Sequence, residues 1–444
     1  MAKSKSTKRN RSESGKAANG AEAVLPKAQR RRNDALIFVS VAATLGIIGW
    51  LINGLPIGVR GEWTWETRVV VGARFWTPLG AVALLIAVAG WLTRPKRWEK
   101  TSRRGRVAWI IAIFLIAWLL ALGFLGMPKN PAAITAAIVA SPHATSYFNV
   151  ATDIEDLGGF LRKYPSLMGG FPLHAKTHPP GPVLFFYAVD RALEASPALA
   201  GWVEAAALRI DRYGTEDLTE IINQQFGLAL TKREIMAAIL SAVLLAGVGS
   251  LSVFPLYLLA SGLYGPVTGM RAILLFATIP SFLLFAPAID QMVLLFAVLT
   301  LWGFYLLKTS GNPLVGIFLG LGLWVSVGLA VMGLFILLWW AAERFFFGAD
   351  AEGADTRTII RGSVLAVTLF LAVFVLPWLA LGIKFPQVIS AGLAAHRHTT
   401  LEEGGRTYWK WIIYDPVEFA VFLGLPVTIW AIWGIRGAFA LAWI

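Results

Sequence analysis

RPKRWEKTSRRGR, residues 94–106, runs directly into VAWIIAIFLIAWLLALGFLG, residues 107–126. The first stretch holds seven Lys/Arg and one Glu, and the second holds no charge at all. A bilayer core about 30 Å thick is crossed by roughly 20 predominantly apolar residues in a helix. Basic residues collect on the cytoplasmic flank of such a helix. The pair of stretches therefore reads as a cytoplasmic turn followed by a span that leads outward.

Comparable apolar runs recur at 35–53, 75–93, 235–260, 267–289, 291–307, 313–341, 362–383 and 416–434. The chain is 57% hydrophobic and 15% charged, with mean hydropathy +0.65, far from the composition of a soluble domain. The runs are continuous in Leu, Ala, Val and Ile and lack the alternation of barrel strands, so they predict helices. The fold class expected is all-α: a polytopic helical membrane protein with about nine to eleven membrane helices.

The formal charge of +13 could suggest nucleic acid, but its placement argues otherwise. Residues 1–33 hold ten Lys/Arg and two Glu, and together with 94–106 they exceed the whole net charge, leaving the rest near neutral. No aromatic-interleaved basic face accompanies them, so no nucleic-acid partner is expected. The partner expected is the lipid bilayer, and the location a plasma or inner membrane. The absence of cysteine excludes disulfides, thiolate catalysis and Cys-ligated zinc. The long basic tail and a first apolar run of spanning length predict an uncleaved signal-anchor rather than a cleavable signal peptide.

Both basic clusters fit one orientation. Residues 1–33 read as a disordered cytoplasmic tail and 34–126 as three membrane helices. Residues 127–233 then form a large extracytoplasmic loop, and 234–383 a core of membrane helices. A second functional loop follows at 384–414 and a C-terminal membrane helix at 415–444. The chain ends at Ile444 in an apolar stretch, the pattern of a truncated C-terminus. Within the large loop, 182–202 is apolar but carries Asp190, Arg191 and Glu194. Three charges facing lipid are costly, so it is expected to lie at the interface or re-enter rather than span. The Gly-rich stretch 313–341 contains Ser326 and reads either as one span or as two half-helices forming a V. A V sends helix 362–383 outward to 384–414; a single span leaves that loop inside.

All five histidines fall in the two loops: His143, His174 and His178 in the first, His396 and His398 in the second. Histidine titrates near neutrality, ligates metals and contacts phosphate oxygens, so a shared cleft would suit acid–base work or phosphate handling. His174-Ala175-Lys176-Thr177-His178-Pro179-Pro180-Gly181-Pro182 is the most distinctive stretch. Its prolines fix a rigid turn leading into a helix, with Pro182 suited to the first turn. Tyr147, Asp153, Glu155 and Asp156 add a hydroxyl and three carboxylates, fit to serve as a base or to hold a divalent metal. Asp153 and Asp156, three apart, would share a helical face. Asp290 sits at the mouth of two otherwise uncharged helices, where an ionisable group points to function. Arg397 and Arg406, near Tyr408-Trp409-Lys410-Trp411, suit a lipid phosphate headgroup.

The order of these features resembles the C-type superfamily of polytopic membrane glycosyltransferases, most closely the branch of protein O-mannosyltransferases and the lipid A aminoarabinose transferase. His178-Pro179-Pro180 is similar to the family's Lys/His-Pro-Pro element. Leu263-Tyr264-Gly265, Pro280-Ser281, Asp290-Gln291 and the Gly316, Gly320, Gly322 helix follow in family order, over roughly 140–340. One departure is that Tyr147 is preceded by His143-Ala144-Thr145-Ser146, where the family carries an Asp-Glu pair. Two additional N-terminal spans are another.

The resemblance implies transfer of a sugar from a polyprenyl-phosphate donor to an extracytoplasmic glycan, lipid or protein acceptor. Asp153, Asp156 and Asp290 are the candidate catalytic carboxylates. His143, Tyr147, His174, Lys176, His178, His396, Arg397, His398 and Arg406 are the candidate substrate-binding residues, with Lys176, His178, Arg397 or Arg406 stabilising the departing phosphate. A transporter or flippase of lipid-linked intermediates, or a non-catalytic assembly subunit, are the alternatives.

Overall fold

The computed structural model describes residues 27–53, 57–59, 61–65, 73–172, 174–342, 355–399 and 407–442. Arg406 and all but the last seven residues of the expected tail lie outside them. Helix α1 (Lys27–Ile52) takes in those seven, because Lys27–Asn33 continue the apolar helix at its N-terminus. The chain forms two compact units, one from the described parts of 1–67 and 414–444, the other from 68–413.

In the larger unit, α2 (Ala73–Leu92), α3 (Pro95–Lys100) and α4 (Arg103–Leu125) come first. Ser102 caps α4 by accepting from Gly105 N, and Trp98 of the basic turn is fully buried. At the far end of α4 the chain enters a helical assembly. It contains α5 (Pro131–Ala140), α6 (Tyr147–Thr152), α7 (Leu157–Leu167), α8 (Gly181–Ala195), α9 (Pro197–Ile210) and α10 (Thr215–Phe226). The apolar run 182–202 is broken where Ser196 caps a new helix started by Pro197, so neither α8 nor α9 reaches spanning length.

α11 (Lys232–Ser250) and α12 (Val253–Tyr264) continue one another over 33 residues. At 1.5 Å per residue this is about 50 Å, well beyond a hydrocarbon core. The excess is sheathed by α5 and α8–α10 around Ile235, Met236, Ala237 and Ala238, all fully or nearly buried. A reciprocal capping box between Thr231 and Glu234 starts α11.

The run 267–289, expected as one span, is instead α13 (Pro266–Phe276) and α14 (Pro280–Leu284). Pro280 and Pro287 lack the N–H needed to continue a helix, and the chain turns twice before α15 (Asp290–Ser310). α16 (Leu314–Val325) runs back along α15 and stops at Ser326, whose backbone is extended (φ −152°, ψ 128°). After a 3₁₀ turn, Val327–Leu329, α17 (Ala330–Ala342) reverses again. Gly333 faces Leu319, and Ile336 and Trp340 line one groove with Val315 and Lys308. The stretch 313–341 is therefore a V rather than a single span. α18 (Thr356–Leu381) then runs parallel to α16, with Gly316 against Ala366 and Gly320 against Val373, the close small-residue packing of membrane helices. It delivers α19 (Phe385–Arg397) onto α7 and the turn Ala175–Thr177.

In the smaller unit α1 packs against α21 (Leu425–Ala442), and α20 (Tyr408–Leu423) precedes it. The expected single span 416–434 is bent by 110° where Gly424 adopts φ +95°. A two-residue antiparallel hairpin, Gly58–Val59 with Trp63–Thr64, is the only strand pairing among the described residues. The chain is thus all-α apart from that hairpin. Six helices, α1, α2, α4, α11–α12, α15 and α18, have the length and composition of membrane spans, or seven with the bent pair. That is the make-up of a multi-pass membrane protein, with fewer spans among the described residues than the nine to eleven expected. The difference comes from the proline, glycine and Ser326 breaks.

The three charges in the 182–202 run have a packing role. Asp190 is fully buried, and Arg191 and Arg233 share its Oδ2, the latter at 3.4 Å; Arg233 also reaches Glu194 at 3.0 Å. This network ties α8 to the start of α11. Arg233→Met removes the longer of the two ion pairs of buried Asp190 and the contact to Glu194, with Arg191 kept in place, and is expected to cost about 1 kcal/mol. Replacing both partners, Asp190→Leu with Arg233→Met, should recover most of that loss. Unfolding midpoints of the purified variants in detergent check both.

Candidate functional site

The site is assembled from four separate segments. Ser141 ends α5 and its Oγ accepts from the backbone N–H groups of His143 and Ala144, turning the chain. Ser146 follows with φ +57°, the only positive φ outside glycine among the described residues, and is completely buried. Left-handed backbone costs a serine about 1–2 kcal/mol. What holds it there is long-range: Ser146 Oγ accepts the N–H of Ala175 at 2.9 Å. The bond lays the His174–His178 turn beneath the start of α6, where Tyr147 meets the His178 ring edge-to-face at 5.5 Å.

Within the turn, the His174 carbonyl accepts from Thr177 Oγ1 at 2.9 Å and from His178 Nδ1 at 3.1 Å. Thr177 Oγ1 also lies 2.9 Å from His178 Nδ1; with its own proton directed to the His174 carbonyl it accepts there, and in that arrangement Nδ1 carries the proton and the lone pair of neutral His178 lies on Nε2. Tyr164 OH donates to the His178 carbonyl at 3.0 Å and holds the turn from the α7 side. Pro179 and Pro180 are buried and lead into α8. Gly181 lies so close to the Trp324 carbonyl that a Cβ would overlap it, so no larger residue fits.

Asp290, the first residue of α15, is exposed and faces this group. Burial pushes the Tyr147 phenol far above its ordinary range, with smaller contributions from the Asp290 and Tyr164 charges. Burial likewise holds His174 and His178 below the usual imidazole value; the nearby Asp290 carboxylate partly opposes this at both. His396, from the last turn of α19, is near enough to His178 to disfavour its protonation further. The resulting group is one exposed carboxylate, two uncharged imidazoles and a phenol that stays protonated. The His143 side chain is exposed, and its backbone carbonyl is the partner of the His174 ring.

The other expected residues divide. Lys176 lies in the 3₁₀ turn between His174 and His178, and Arg397 follows His396 at the end of α19; His398 comes next and is exposed. Asp156 caps α7, accepting from Gly158 N at 3.0 Å and Gly159 N at 2.9 Å. Asp153 closes α6 and stands near Glu234, where burial first and then that carboxylate raise its pKa. The two acids therefore do not share a helical face, because a non-helical link, Ile154–Glu155, separates α6 from α7. No set of three metal-type ligands converges among the described residues. In the arrangement with Nδ1–H on the carbonyl, neutral His178 presents a lone pair on Nε2. Ser146 and Tyr164 were not legible as site residues, since a left-handed serine and a tyrosine on an amphipathic helix carry no local signature.

Comparison with family models, with curated proteins and with solved structures finds no match for this chain.

Two expectations follow. The folded imidazoles of His174 and His178 titrate below 6.5 while the unfolded ones titrate near it. Their contribution to stability is therefore complete above about pH 6.5 and is lost as pH falls through the folded values. Unfolding midpoints should drop from pH 7 to pH 5, and less so in His178→Gln. Separately, Ser146→Ala leaves the buried Ala175 N–H unpaired, at a cost of about 1–3 kcal/mol. It should speed diethyl pyrocarbonate labelling of His178, read by peptide mass spectrometry.

Proposed function

We propose that this chain is a membrane glycosyltransferase that moves a sugar from a polyprenyl-phosphate donor to an acceptor on the extracytoplasmic side of a cell membrane, with its N-terminus in the cytoplasm. The observation that carries the reading is Asp290. It is an exposed carboxylate at the head of an apolar helix, close enough to Tyr147, His174 and His178 to act on their ionisation, while Lys176 sits on the same turn as the two histidines and Arg397 follows His396. The similarity of residues 140–340 to the C-type glycosyltransferases supports it.

In this mechanism the acceptor hydroxyl lies between Asp290 and His178. The hydroxyl oxygen bonds to the anomeric carbon and its single proton passes to the Asp290 carboxylate. The bond from the anomeric carbon to the phosphate oxygen breaks, and the lipid phosphate leaves with the electron pair. Lys176 and Arg397 meet the charge that grows on that phosphate. Protonated Tyr147 supplies a neutral hydrogen-bond donor beside them.

One feature favours the transporter alternative: the V of α16 and α17 resembles the broken helices that transporters place around their sites. Accumulation of a lipid-linked sugar in sealed vesicles holding only this protein would establish it. For the transferase, purified protein is incubated with labelled polyprenyl-phosphate sugar and candidate acceptors. Asp290→Asn is expected to lower transfer about 10²–10⁴-fold, the range of a lost acid–base group. Asp156→Asn, which changes only a helix cap, should lower it far less. Equal transfer by wild type and Asp290→Asn would reject the assignment.

A further inference from the structure

The amphipathic helix α19 and the elements beneath it carry a strip of five basic side chains, of which the transfer step uses only Lys176 and Arg397. Arg162 and Lys163 lie on α7, Lys176 on the 3₁₀ turn, and Lys384 and Arg397 at the two ends of α19. Arg162, Lys163, Lys384 and Arg397 are exposed and Lys176 is half-buried. None of the five takes part in an ion pair among the described residues. The basic residues on α8 and α11 behave differently: Arg191, Lys232 and Arg233 are matched to Asp190, Glu194 and Glu204. On α7, the 3₁₀ turn and α19 the only acid is Asp156, and it is occupied as a cap.

The strip has a direction. α18 keeps Leu376, Leu379 and Leu381 exposed through its last turn, as a lipid-facing helix does, so the bilayer edge lies beside Lys384. Gly382, at φ +75°, turns the chain there, and the stem of Arg162 packs on it: a Cβ would be 2.9 Å from Arg162 Cγ. Further along, Gly392 rides over the Thr177 carbonyl, next to Lys176, with a Cβ position 3.0 Å away. The last turn brings His396 near His178, and Arg397 follows it in the chain. Thirteen residues of helix span about 20 Å, so positive charge leads from the edge of the lipid to the Asp290 group. The stronger basic cluster, 94–106, is at the other end of α4, so membrane orientation does not call for these five.

We propose that α19, with α7 and the 175–177 turn, is an access track that takes the phosphate of a lipid-linked donor from the bilayer edge to the site, and that Arg162 and Lys384 are its capture end. The assignment to the donor rests on the transferase reading. Binding of a lipid phosphate along the strip does not require turnover, and the two can be tested apart.

The full chain is placed in phosphatidylcholine nanodiscs with a polyprenyl monophosphate, and retained lipid is read by native mass spectrometry. Wild type should retain the phosphate in preference to the neutral polyprenol and to phosphatidylglycerol. Retention should weaken as ionic strength rises from about 0.05 to about 0.5 M. Arg162→Gln with Lys384→Gln should weaken it at least about tenfold, the scale of two lost surface charges at a lipid phosphate. Lys384→Gln alone, at an exposed position, should weaken it severalfold with an unchanged unfolding midpoint. Inorganic phosphate should not displace the lipid, since the headgroup is delivered by its tail. Unchanged retention in both variants would overturn the track, as would equal retention of the neutral polyprenol. Displacement by an equal mole fraction of phosphatidylglycerol would overturn its assignment to the donor. Loss of retention in the variants, with no sugar transfer by wild type, would leave the track standing and remove the transferase. Sugar transfer with retention unaffected would do the reverse.

Discussion

A backbone-to-backbone contact, Gly181 against the carbonyl of Trp324, connects the large loop to the helix core. It sets the first turn of α8 on the last turn of α16, two residues before the break at Ser326. The last carbonyls of a helix have no partners within it and carry its partial negative charge, while the first N–H groups of another carry the opposite one. An end-to-end approach is therefore electrostatically favourable, but only where no side chain intervenes. The prolines ahead of Gly181 stiffen the approach, so the His174–His178 turn inherits its position from this contact. Asp290, at the start of the helix antiparallel to α16, comes level with it for the same reason.

Around that contact the electrostatics follow from unequal burial. Tyr147 is buried and His174 and His178 are partly buried, which favours their uncharged forms, while Asp290 lies on a helix end open to solvent. The carboxylate is the one group of the four that acts on all the others. A buried imidazole whose Nδ1–H is committed to a carbonyl is an acceptor on its other nitrogen, and a buried phenol is a donor. In the proposed reading this combination of acceptor, donor and carboxylate suits proton transfer, with Lys176 on the turn and Arg397 on α19.

Much of this was legible in the residues. The charge-free run 107–126 after seven basic residues can only be satisfied as a helix in lipid, and the same holds for α2, α15 and α18. The clustering of all five histidines in two loops, and the isolation of Asp290 between apolar runs, marked the segments that meet. Other readings failed for reasons that periodicity and hydropathy do not register. Apolar content of 267–289 equals that of a span, but Pro280 and Pro287 divide it. Asp153 and Asp156 have helical spacing, yet one closes a helix and the other opens the next, and the cap geometry depends on φ and ψ at both.

By itself, then, the sequence determined a chain of apolar helices and the few ionisable residues that its loops and helix ends can offer. It could do so because burial in lipid is a matter of composition and helix pitch, both local. Only the tertiary structure decided that 313–341 folds back at Ser326, and hence that α18 returns the second loop to the first. It also decided that Ser146 locks one loop segment onto another 29 residues away, and that His178 presents a lone pair rather than a charge. The fold-back and the Ser146 lock depend on a close approach or a hydrogen bond between residues distant in the chain, where neither partner alone carries a signal, whereas the His178 contact is set by the geometry of its own turn.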